Sequence, residues 1–139
     1  TPVTVPYGPN ILRALSQNNL EDVIKIINDL IQSVPDQNYV KDQEKFFHAI
    51  IHLIFTMVGS DPRTEMHTPA GRMDTVIITN DRIFLFEFKI EGTAEEAIQC
   101  IRDRHYADSL RLRNKPITGV GVVFSASKKG ISAWERAEL

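Results

Sequence analysis

Apolar residues recur at helical spacing over residues 20–34, which predicts an amphipathic helix that packs against the rest of the molecule. Asn19 provides an N-cap for this helix, and Pro35 ends it. Residues 1–9 contain three prolines and little periodicity, so they predict an extended lead-in or linker remnant. We therefore expect residues 1–36 to form an N-terminal helical extension.

A second helix is predicted over residues 40–58, because this segment is apolar around most of its circumference, as in a buried helix. Gly59 ends it. Its single polar stripe consists of Glu44, His48 and His52, which are four residues apart and therefore lie on one face.

Strand patterns dominate the middle of the chain. Three runs with turn sequences between them predict strands over residues 64–68, 75–79 and 83–90. Thr93 then begins a capping box, which predicts a helix over 94–106, and the β-branched run 117–125 predicts a buried strand. The order of helix, three strands, helix and strand predicts one α/β domain over residues 37–139.

The composition suits a single water-soluble globular domain: 139 residues, with 42% hydrophobic and 24% charged residues. The longest apolar stretch, Phe46–Val58, is interrupted by histidines and is too short to cross a bilayer. Because Cys100 is the single cysteine, no internal disulfide can form, which favours the cytoplasm. The first residues do not predict a secretion signal, and the start at Thr1 suggests a piece of a longer protein.

The charge is distributed unevenly, although the net charge is only −2. Residues 1–96 carry 8 Lys and Arg against 14 Asp and Glu, whereas residues 97–139 carry 8 against 4. The basic groups that suggest a phosphate-facing surface are Arg102, Arg104, Arg111, Arg113, Lys115, Lys128 and Lys129. The alternative, which charge alone favours, is a solvated helix end and loop.

The strand over residues 83–90 combines an apolar face with a face that changes to charged residues. Phe84, Phe86, Phe88 and Ile90 share one face, because side chains alternate along a strand, and we expect that face to lie in the core. The other face carries Ile83 and Leu85, followed by Glu87 and Lys89. A carboxylate beside a hydrophobic layer is costly unless it is paired or binds a metal ion.

Asp74 precedes the strand that is expected to form a hairpin with residues 83–90. Pairing Thr79 with residue 82 or 83 places Asp74 near Lys89 or Glu87. Two carboxylates and a backbone carbonyl form a hard oxygen site that suits Mg²⁺ or Mn²⁺. The alternative is an ordinary ion pair between Glu87 and Lys89 on an edge strand, because Glu-x-Lys is a common pattern.

Several motifs occur in a fixed order along about two thirds of the chain. They are Glu44-Lys-Phe-Phe-His48, Glu65, Gly71-Arg-Met-Asp74, Phe86-Glu-Phe-Lys89, Ala94-Glu-Glu-Ala97 with Gln99 and Ile101, Tyr106 and the segment 119–125. This order resembles the PD-(D/E)XK nuclease superfamily, and is most similar to the branch found at the C-terminal end of bacterial proteins with an ATPase-like N-terminal region. The resemblance implies a restriction-endonuclease-like αβββαβ core, with a central mixed sheet between helices.

The resemblance also implies roles for individual residues. Asp74 and Glu87 match the metal-binding acids of the family, and the carbonyl of Phe88 completes the protein ligands of Mg²⁺ or Mn²⁺. Lys89 matches the lysine that orients or activates the attacking water and stabilises charge on the phosphate.

Two further residues match polar positions around the family's site. Glu44 matches an acid that the first core helix directs toward the site, and Gln99 matches a polar residue on the helix after the Glu-Phe-Lys strand. One residue departs from the family pattern: Met73 precedes Asp74 at the position where the pattern has proline. Many members of the family also lack this proline.

These features predict a Mg²⁺-dependent nuclease that hydrolyses phosphodiester bonds of DNA or RNA. An alternative is a catalytically silent module that binds nucleic acid or protein within a larger ATPase-like protein, and a third is a homo-oligomerisation domain that uses the N-terminal helix. His48 and His52 also have the spacing of zinc ligands, with His67 as a third candidate, but a polar stripe that lines the site or hydrogen-bonds in the core is the more common origin of such a pair. Gly119-Val-Gly121 indicates close packing rather than phosphate binding.

Overall fold

Three helices precede the sheet in the computed structural model, which describes residues 7–35, 43–61, 65–67 and 74–139. They are α1 (Tyr7–Ser16), α2 (Leu20–Ser33) and α3 (Gln43–Gly59). The predicted cap of α2 is confirmed, because the Asn19 side chain accepts a hydrogen bond from the backbone N–H of Asp22 at 3.2 Å.

Helix α1 was not predicted, and the extended lead-in over residues 1–9 is wrong for residues 7–9, which are helical. Pro9 lies in the first turn of α1, where backbone N–H groups have no acceptor within the helix, so proline costs no helical hydrogen bond there. Ile11, Leu12 and Leu15 then follow helical spacing and are buried. Residues 1–6 lie outside the described part of the chain.

A five-stranded mixed sheet follows, in the order β1-β2-β3-β4-β5. The strands are β1 (Glu65–His67), β2 (Asp74–Ile78), β3 (Ile83–Ile90), β4 (Ile117–Ser125) and β5 (Gly130–Glu138). Strands β1, β2 and β3 pair antiparallel, β3 and β4 pair parallel, and β5 is antiparallel to β4. The parallel step requires a crossover, which contains α4 (Ala94–Asp103), α5 (Tyr106–Leu110) and a 3₁₀ turn (Arg111–Arg113).

The predicted bounds of β3 and β4 are confirmed, and the Thr93 side chain caps α4 by accepting from the N–H of Glu96 at 3.1 Å. The predicted helix over 94–106 is wrong at its end. It stops at Asp103, because the chain turns through His105, whose φ of 55° is left-handed. The predicted turn at residues 69–71 lies outside the described residues.

Helices cover both faces of the sheet and enclose two apolar clusters. Helices α1, α2 and α3 pack on one face, where the Phe47 and Phe124 rings stack at 4.6 Å and Phe88 stacks on Phe124 at 5.8 Å. Helix α4 packs on the other face against residues that include Leu85 and Ile83. The predicted division of β3 into two faces is therefore confirmed. So is the α/β fold class, since α3 to β4 follow the αβββαβ order of a restriction-endonuclease-like core.

The N-terminal helices contact the sheet through its edge strand β5. Asn28 of α2 accepts a hydrogen bond from the N–H of Ile131 at 2.9 Å, and Gln32 donates to the carbonyl of Lys129 at 2.5 Å. Side chains of α2 thus bond backbone groups at the start of β5, which protects that part of the sheet edge. Among the described helices, none has the length and apolar character needed to cross a membrane.

Candidate metal centre

The β2–β3 hairpin places Asp74 directly opposite Glu87. The turn closes through a hydrogen bond from the N–H of Thr79 to the carbonyl of Arg82 at 2.9 Å, and this is one of the two predicted registers. The side chains of Asp74 and Glu87 are only 9% and 8% exposed. Two carboxylates therefore face each other in a largely buried position.

Both carboxylates lie on the face of the sheet that α4 covers. Glu87 lies two residues after Leu85 and therefore on the same face of β3, and Leu85 belongs to the apolar cluster under α4. Gly121 of β4 is the neighbour of Glu87 in the sheet, and a Cβ there would lie 2.7 Å from the carbonyl oxygen of Ala94 and 2.9 Å from Cβ of Ala97. The glycine therefore lets α4 lie close to the sheet beside Glu87, which agrees with the close packing predicted for Gly119-Val-Gly121.

Arg104 reaches both carboxylates from the C-cap of α4. Its Nη1 lies 3.3 Å from Oε2 of Glu87 and 3.7 Å from Oδ2 of Asp74. The sequence analysis placed Arg104 only in a general basic group. A signal was available, because Ala97, Ile101 and Arg104 follow i, i+4, i+7 spacing, the buried face of the helix. That spacing lets the Arg104 side chain reach the sheet, although 38% of the side chain is exposed.

Lys89 lies two residues beyond Glu87 on the same face of β3, a separation of roughly 7 Å along the strand. Its Nζ is 4.0 Å from Oε2 of Glu96 in the first turn of α4, and its side chain is 30% exposed. Gly92 makes the tight turn between them with a φ of 99°, and a Cβ there would lie 3.3 Å from Cε of Lys89. The Lys89 side chain thus lies beside the carboxylate pair and is more exposed to solvent than either carboxylate. Because β3 lies between β2 and β4, the alternative of an ion pair on an edge strand is wrong.

Glu44 and Gln99 do not contact the carboxylate pair in the described structure. Glu44 is on α3, whose core residues pack on the opposite face of the sheet, and its side chain is 75% exposed with Oε1 3.8 Å from Nε2 of His48. Gln99 is exposed on α4 and donates a hydrogen bond to Asp103 at 2.8 Å. The side chain of Phe88 is buried in the core. Its backbone comes one residue after Glu87, whose pairing with Asp74 is the last described pair between β2 and β3. The site roles of these three residues stay predictions.

The residues present fit a divalent cation of the hard type. Oδ1 of Asp74 is buried and has no hydrogen-bond partner in the described part of the chain. A buried carboxylate oxygen without a partner carries a large desolvation cost, which a bound cation offsets. Carboxylate oxygens are the ligands that Mg²⁺ and Mn²⁺ prefer, and Mg²⁺ keeps several waters beside one or two carboxylates. The described residues hold no cluster of three or more His, Cys, Asp or Glu side chains that could bind a metal ion, so a cation here would have two carboxylates as its described acidic ligands.

Most of the basic groups in the C-terminal third contact the protein itself. Arg113 pairs with Glu65 at 2.8 Å, and Nζ of Lys115 donates to the carbonyl of Thr79 at 2.7 Å. Lys129 donates to the carbonyl of Val34. Lys115 precedes β4 and Lys129 follows it, so they lie at opposite ends of a nine-residue strand. The described contacts of these residues therefore lie at separate places on the domain, and one phosphate-facing surface stays a prediction.

The pair His48 and His52 lies on the outer side of α3. His52 is exposed, and the described contact of His48 is with Glu44. The side chain of His67, the third candidate ligand, lies outside the described structure. The polar stripe that was predicted to line the site or to hydrogen-bond in the core is therefore wrong in its location, because His52 is exposed and His48 contacts the exposed Glu44.

Comparison with known proteins agrees with the fold. The family model described as the PD-(D/E)XK nuclease superfamily matches residues 42–134. A relative from Azotobacter chroococcum mcd 1, described as an uncharacterized protein in the vnfD 5' region, is 31% identical over 140 residues. That alignment covers 91% of this chain but only 27% of the relative, so the chain spans about a quarter of that protein's length. No solved structure matches the chain significantly. On the family match, which covers most of its length, the chain belongs to the PD-(D/E)XK nuclease superfamily.

Proposed function

We propose that this domain is a divalent-metal-dependent nuclease that hydrolyses phosphodiester bonds of DNA or RNA. One observation carries the proposal. Asp74 and Glu87 face each other on adjacent strands, nearly buried, and one oxygen of Asp74 has no partner among the described residues. As a purely structural pair these carboxylates repel each other, and the single positive charge of Arg104 offsets only part of that repulsion. A pair that binds a cation needs this arrangement.

The carboxylates of Asp74 and Glu87 and the backbone carbonyl of Phe88 hold Mg²⁺ or Mn²⁺ in this proposal. When bound, the cation supplies positive charge that polarises a phosphoryl oxygen and makes a water molecule more acidic. The aromatic core behind β3 fixes the backbone of Phe88, because its ring is 2% exposed and stacks on Phe86 and Phe124. A rigid strand positions ligands more accurately than a loop does.

Lys89 positions the attacking water and stabilises the negative charge that develops on the phosphate. Its ammonium lies on the same face as the carboxylates but nearer to solvent, where a substrate strand arrives. Glu96 holds it at 4.0 Å, which is an ion pair long enough to leave the ammonium protons available. Preorganised charge of this kind stabilises a transition state without reorganisation.

We further propose that the domain acts within a longer protein in the bacterial cytoplasm, next to an ATPase-like region. The alignment with only 27% of its Azotobacter relative supports the longer protein. The resemblance of the sequence motifs supports the ATPase-like neighbour, and the single cysteine supports the cytoplasm. In that arrangement the neighbouring region supplies a further contact with nucleic acid, since Arg113, Lys115 and Lys129 of this domain contact the protein itself.

A cleavage assay with purified protein tests the proposal, using single- and double-stranded DNA and RNA with Mg²⁺ or Mn²⁺. We expect cleavage that EDTA abolishes. Asp74→Asn, Glu87→Gln and Lys89→Ala each lower the rate by at least about 100-fold, the usual cost of removing one preorganised charge. Glu95→Gln is the matched control, because Glu95 is an exposed acid in the first turn of α4.

Two results contradict the proposal. The first is the absence of metal-dependent cleavage of any of these substrates, and the second is cleavage that survives all three substitutions. Tight binding of nucleic acid without cleavage, in a protein that also binds no Mn²⁺, favours the catalytically silent module instead.

A further inference from the structure

We propose that Arg104 is the exchangeable counter-ion of the metal centre. Its guanidinium neutralises Asp74 and Glu87 in the metal-free protein and leaves them when a divalent cation binds. This inference rests on the nuclease function proposed above, because it concerns the same pair of carboxylates.

The position of the guanidinium is the first argument. A single nitrogen, Nη1, contacts Oε2 of Glu87 at 3.3 Å and Oδ2 of Asp74 at 3.7 Å. It therefore lies between one oxygen of each carboxylate, where a cation shared by both also has to lie. Two positive charges cannot occupy this space together, since their repulsion is strong in a partly dehydrated site. Binding of one cation requires that the other move away.

The exposure of the three side chains shows how Arg104 can move. The Arg104 side chain is 38% exposed, whereas those of Asp74 and Glu87 are 9% and 8% exposed. The arginine thus enters the site from the solvent side, and it can withdraw without opening the core. It is the C-cap residue of α4, and His105 after it has a left-handed φ of 55°. Since the helix ends here, no further α4 turn confines the side chain.

The incomplete pairing of Asp74 is the third argument. Its Oδ1 is buried without a partner among the described residues, even though Arg104 is present. The contact to Oδ2 at 3.7 Å is longer than a hydrogen bond, so the guanidinium supplies charge to Asp74 without saturating its oxygens. A permanent structural arginine commonly binds a carboxylate through two parallel hydrogen bonds. The observed contact between Arg104 and Asp74 is weaker than such a pair of hydrogen bonds, as expected for a counter-ion that a metal ion replaces.

Calorimetric titration with Mn²⁺ tests this exchange in the wild type, in Arg104→Gln and in Arg102→Gln. The Arg104→Gln variant has no competing charge, and we expect its Kd for Mn²⁺ to be about tenfold lower than that of the wild type. Arg102 is exposed on the same helix, so Arg102→Gln removes the same charge from nearly the same place. Its Kd stays within about twofold of the wild-type value, because general electrostatics are weak and screened there.

The outcomes distinguish this inference from the proposed function. If the wild type binds Mn²⁺ and Arg104→Gln binds it equally or more weakly, Arg104 does not compete with the metal, and the nuclease proposal still stands. If neither protein binds Mn²⁺ and the wild type cleaves no nucleic acid, both proposals fail.

A measurement on the unchanged protein avoids any effect of substitution on folding. The Nε–Hε signals of Arg104 and Arg102 are followed by ¹⁵N NMR as Mg²⁺ is added. We expect the Arg104 signal to shift and its proton to exchange faster with water, because the ion pair is lost, while the Arg102 signal stays in place. An Arg104 signal that does not change when the protein is saturated with Mg²⁺ overturns the inference.

Discussion

At the scale of single residues, the carboxylate pair lowers the stability of the metal-free protein, because Arg104 supplies one positive charge against two negative ones. Asp74 and Glu87 are directly opposed, and like charges at such a position destabilise a sheet. We expect Asp74→Asn in EDTA to raise the free energy of unfolding by up to about 1 kcal/mol. The amide removes one of the two facing charges and can donate a hydrogen bond to Glu87. Thermal unfolding measures this as a rise in Tm of about 4 °C.

The sign of this effect reverses when a metal ion is present. Saturating Mn²⁺ stabilises the wild type by mass action, but it stabilises Asp74→Asn much less because one ligand is lost. Asp81→Asn is the control, since Asp81 is exposed in the turn of the same hairpin. A variant that is less stable than the wild type in EDTA shows that Asp74 has a structural role that the carboxylate pair does not explain.

The sequence predicted the core of this site because strand alternation and a two-residue turn fix it locally. Once Thr79 pairs with Arg82, Asp74 has to face Glu87. Arg104 was missed for a different reason. Its approach depends on the residue at which α4 ends and on how closely α4 lies on the sheet, and both are set by tertiary packing. The capping box at Thr93 predicts only where that helix begins.

At the scale of elements, the approach of α4 to the sheet depends on Gly121. We expect Gly121→Ala to lower the free energy of unfolding by about 1–3 kcal/mol, the usual cost of overpacking. The added Cβ meets the backbone oxygen of Ala94 at 2.7 Å, and this atom cannot move unless the helix moves. Urea unfolding measures the change.

Gly119→Ala is the matched control, because Gly119 lies two residues earlier on the same strand. A Cβ there meets the side-chain ends of Leu139 at 3.3 Å and Ile101 at 3.5 Å, which can rotate away. We expect a change of less than about 0.5 kcal/mol. Equal destabilisation by the two substitutions contradicts the view that α4 touches the sheet at Gly121.

A second element-scale contact ties the ends of three strands together through Glu138. Arg82 donates to Thr118 and to Glu138 at 2.9 Å each, and Arg136 donates to the same carboxylate at 3.0 Å. Partial burial acts to raise the pKa of Glu138. Hydrogen bonds from Arg136 and Thr118 and the charges of Arg82 and Arg136 outweigh it, and hold this pKa below its usual 4.5.

A carboxyl whose pKa is lower in the folded state stabilises the protein above its unfolded pKa, and this contribution is lost as the pH falls through the folded pKa. We therefore expect Glu138→Gln to be less stable than the wild type at pH 7, by less than about 1 kcal/mol for an exposed pair. The difference shrinks as the pH drops below 4.5. Urea unfolding at pH 3 to 7 measures it, and Glu135→Gln on the same strand is the control. A difference that does not depend on pH contradicts this assignment.

Among the strands, those with a fully apolar pattern were predictable to the residue, and the last strand, whose pattern is mixed, was not. Strands β3 and β4 were found within a residue because apolar and β-branched residues fill them. Strand β5 was missed, since its sequence GISAWERAE holds good helix formers and, of its nine residues, only Gly130 is fully buried. Its strand conformation comes from pairing with β4, a tertiary effect that local propensity does not contain.

At the scale of the whole molecule, one apolar core joins the N-terminal helices to the family core. The buried residues that α1 and α2 contribute to it are Ile11, Leu12, Ala14, Leu15, Leu20, Val23, Ile24, Ile27 and Ile31. They share this core with Phe47 and Ile54 of α3 and with Phe84 and Phe86 of β3. The division of the chain at residues 36 and 37 stays a prediction, and it falls in a part of the chain that the structure does not describe.

Removal of residues 1–36 tests whether the family core folds alone. A single buried Leu or Ile cut to Ala costs about 2–5 kcal/mol, and a domain has only about 5–15 kcal/mol of stability. Loss of all the aliphatic side chains that α1 and α2 bury therefore exceeds the available stability. We expect residues 37–139 to show no cooperative unfolding by circular dichroism and to bind a hydrophobic dye. We expect the full chain with Ile27→Ala to unfold cooperatively at a lower temperature than the wild type, which makes it intermediate between the wild type and residues 37–139. If residues 37–139 instead unfold cooperatively, α1 and α2 are a separable extension, and the family core supplies its own stability.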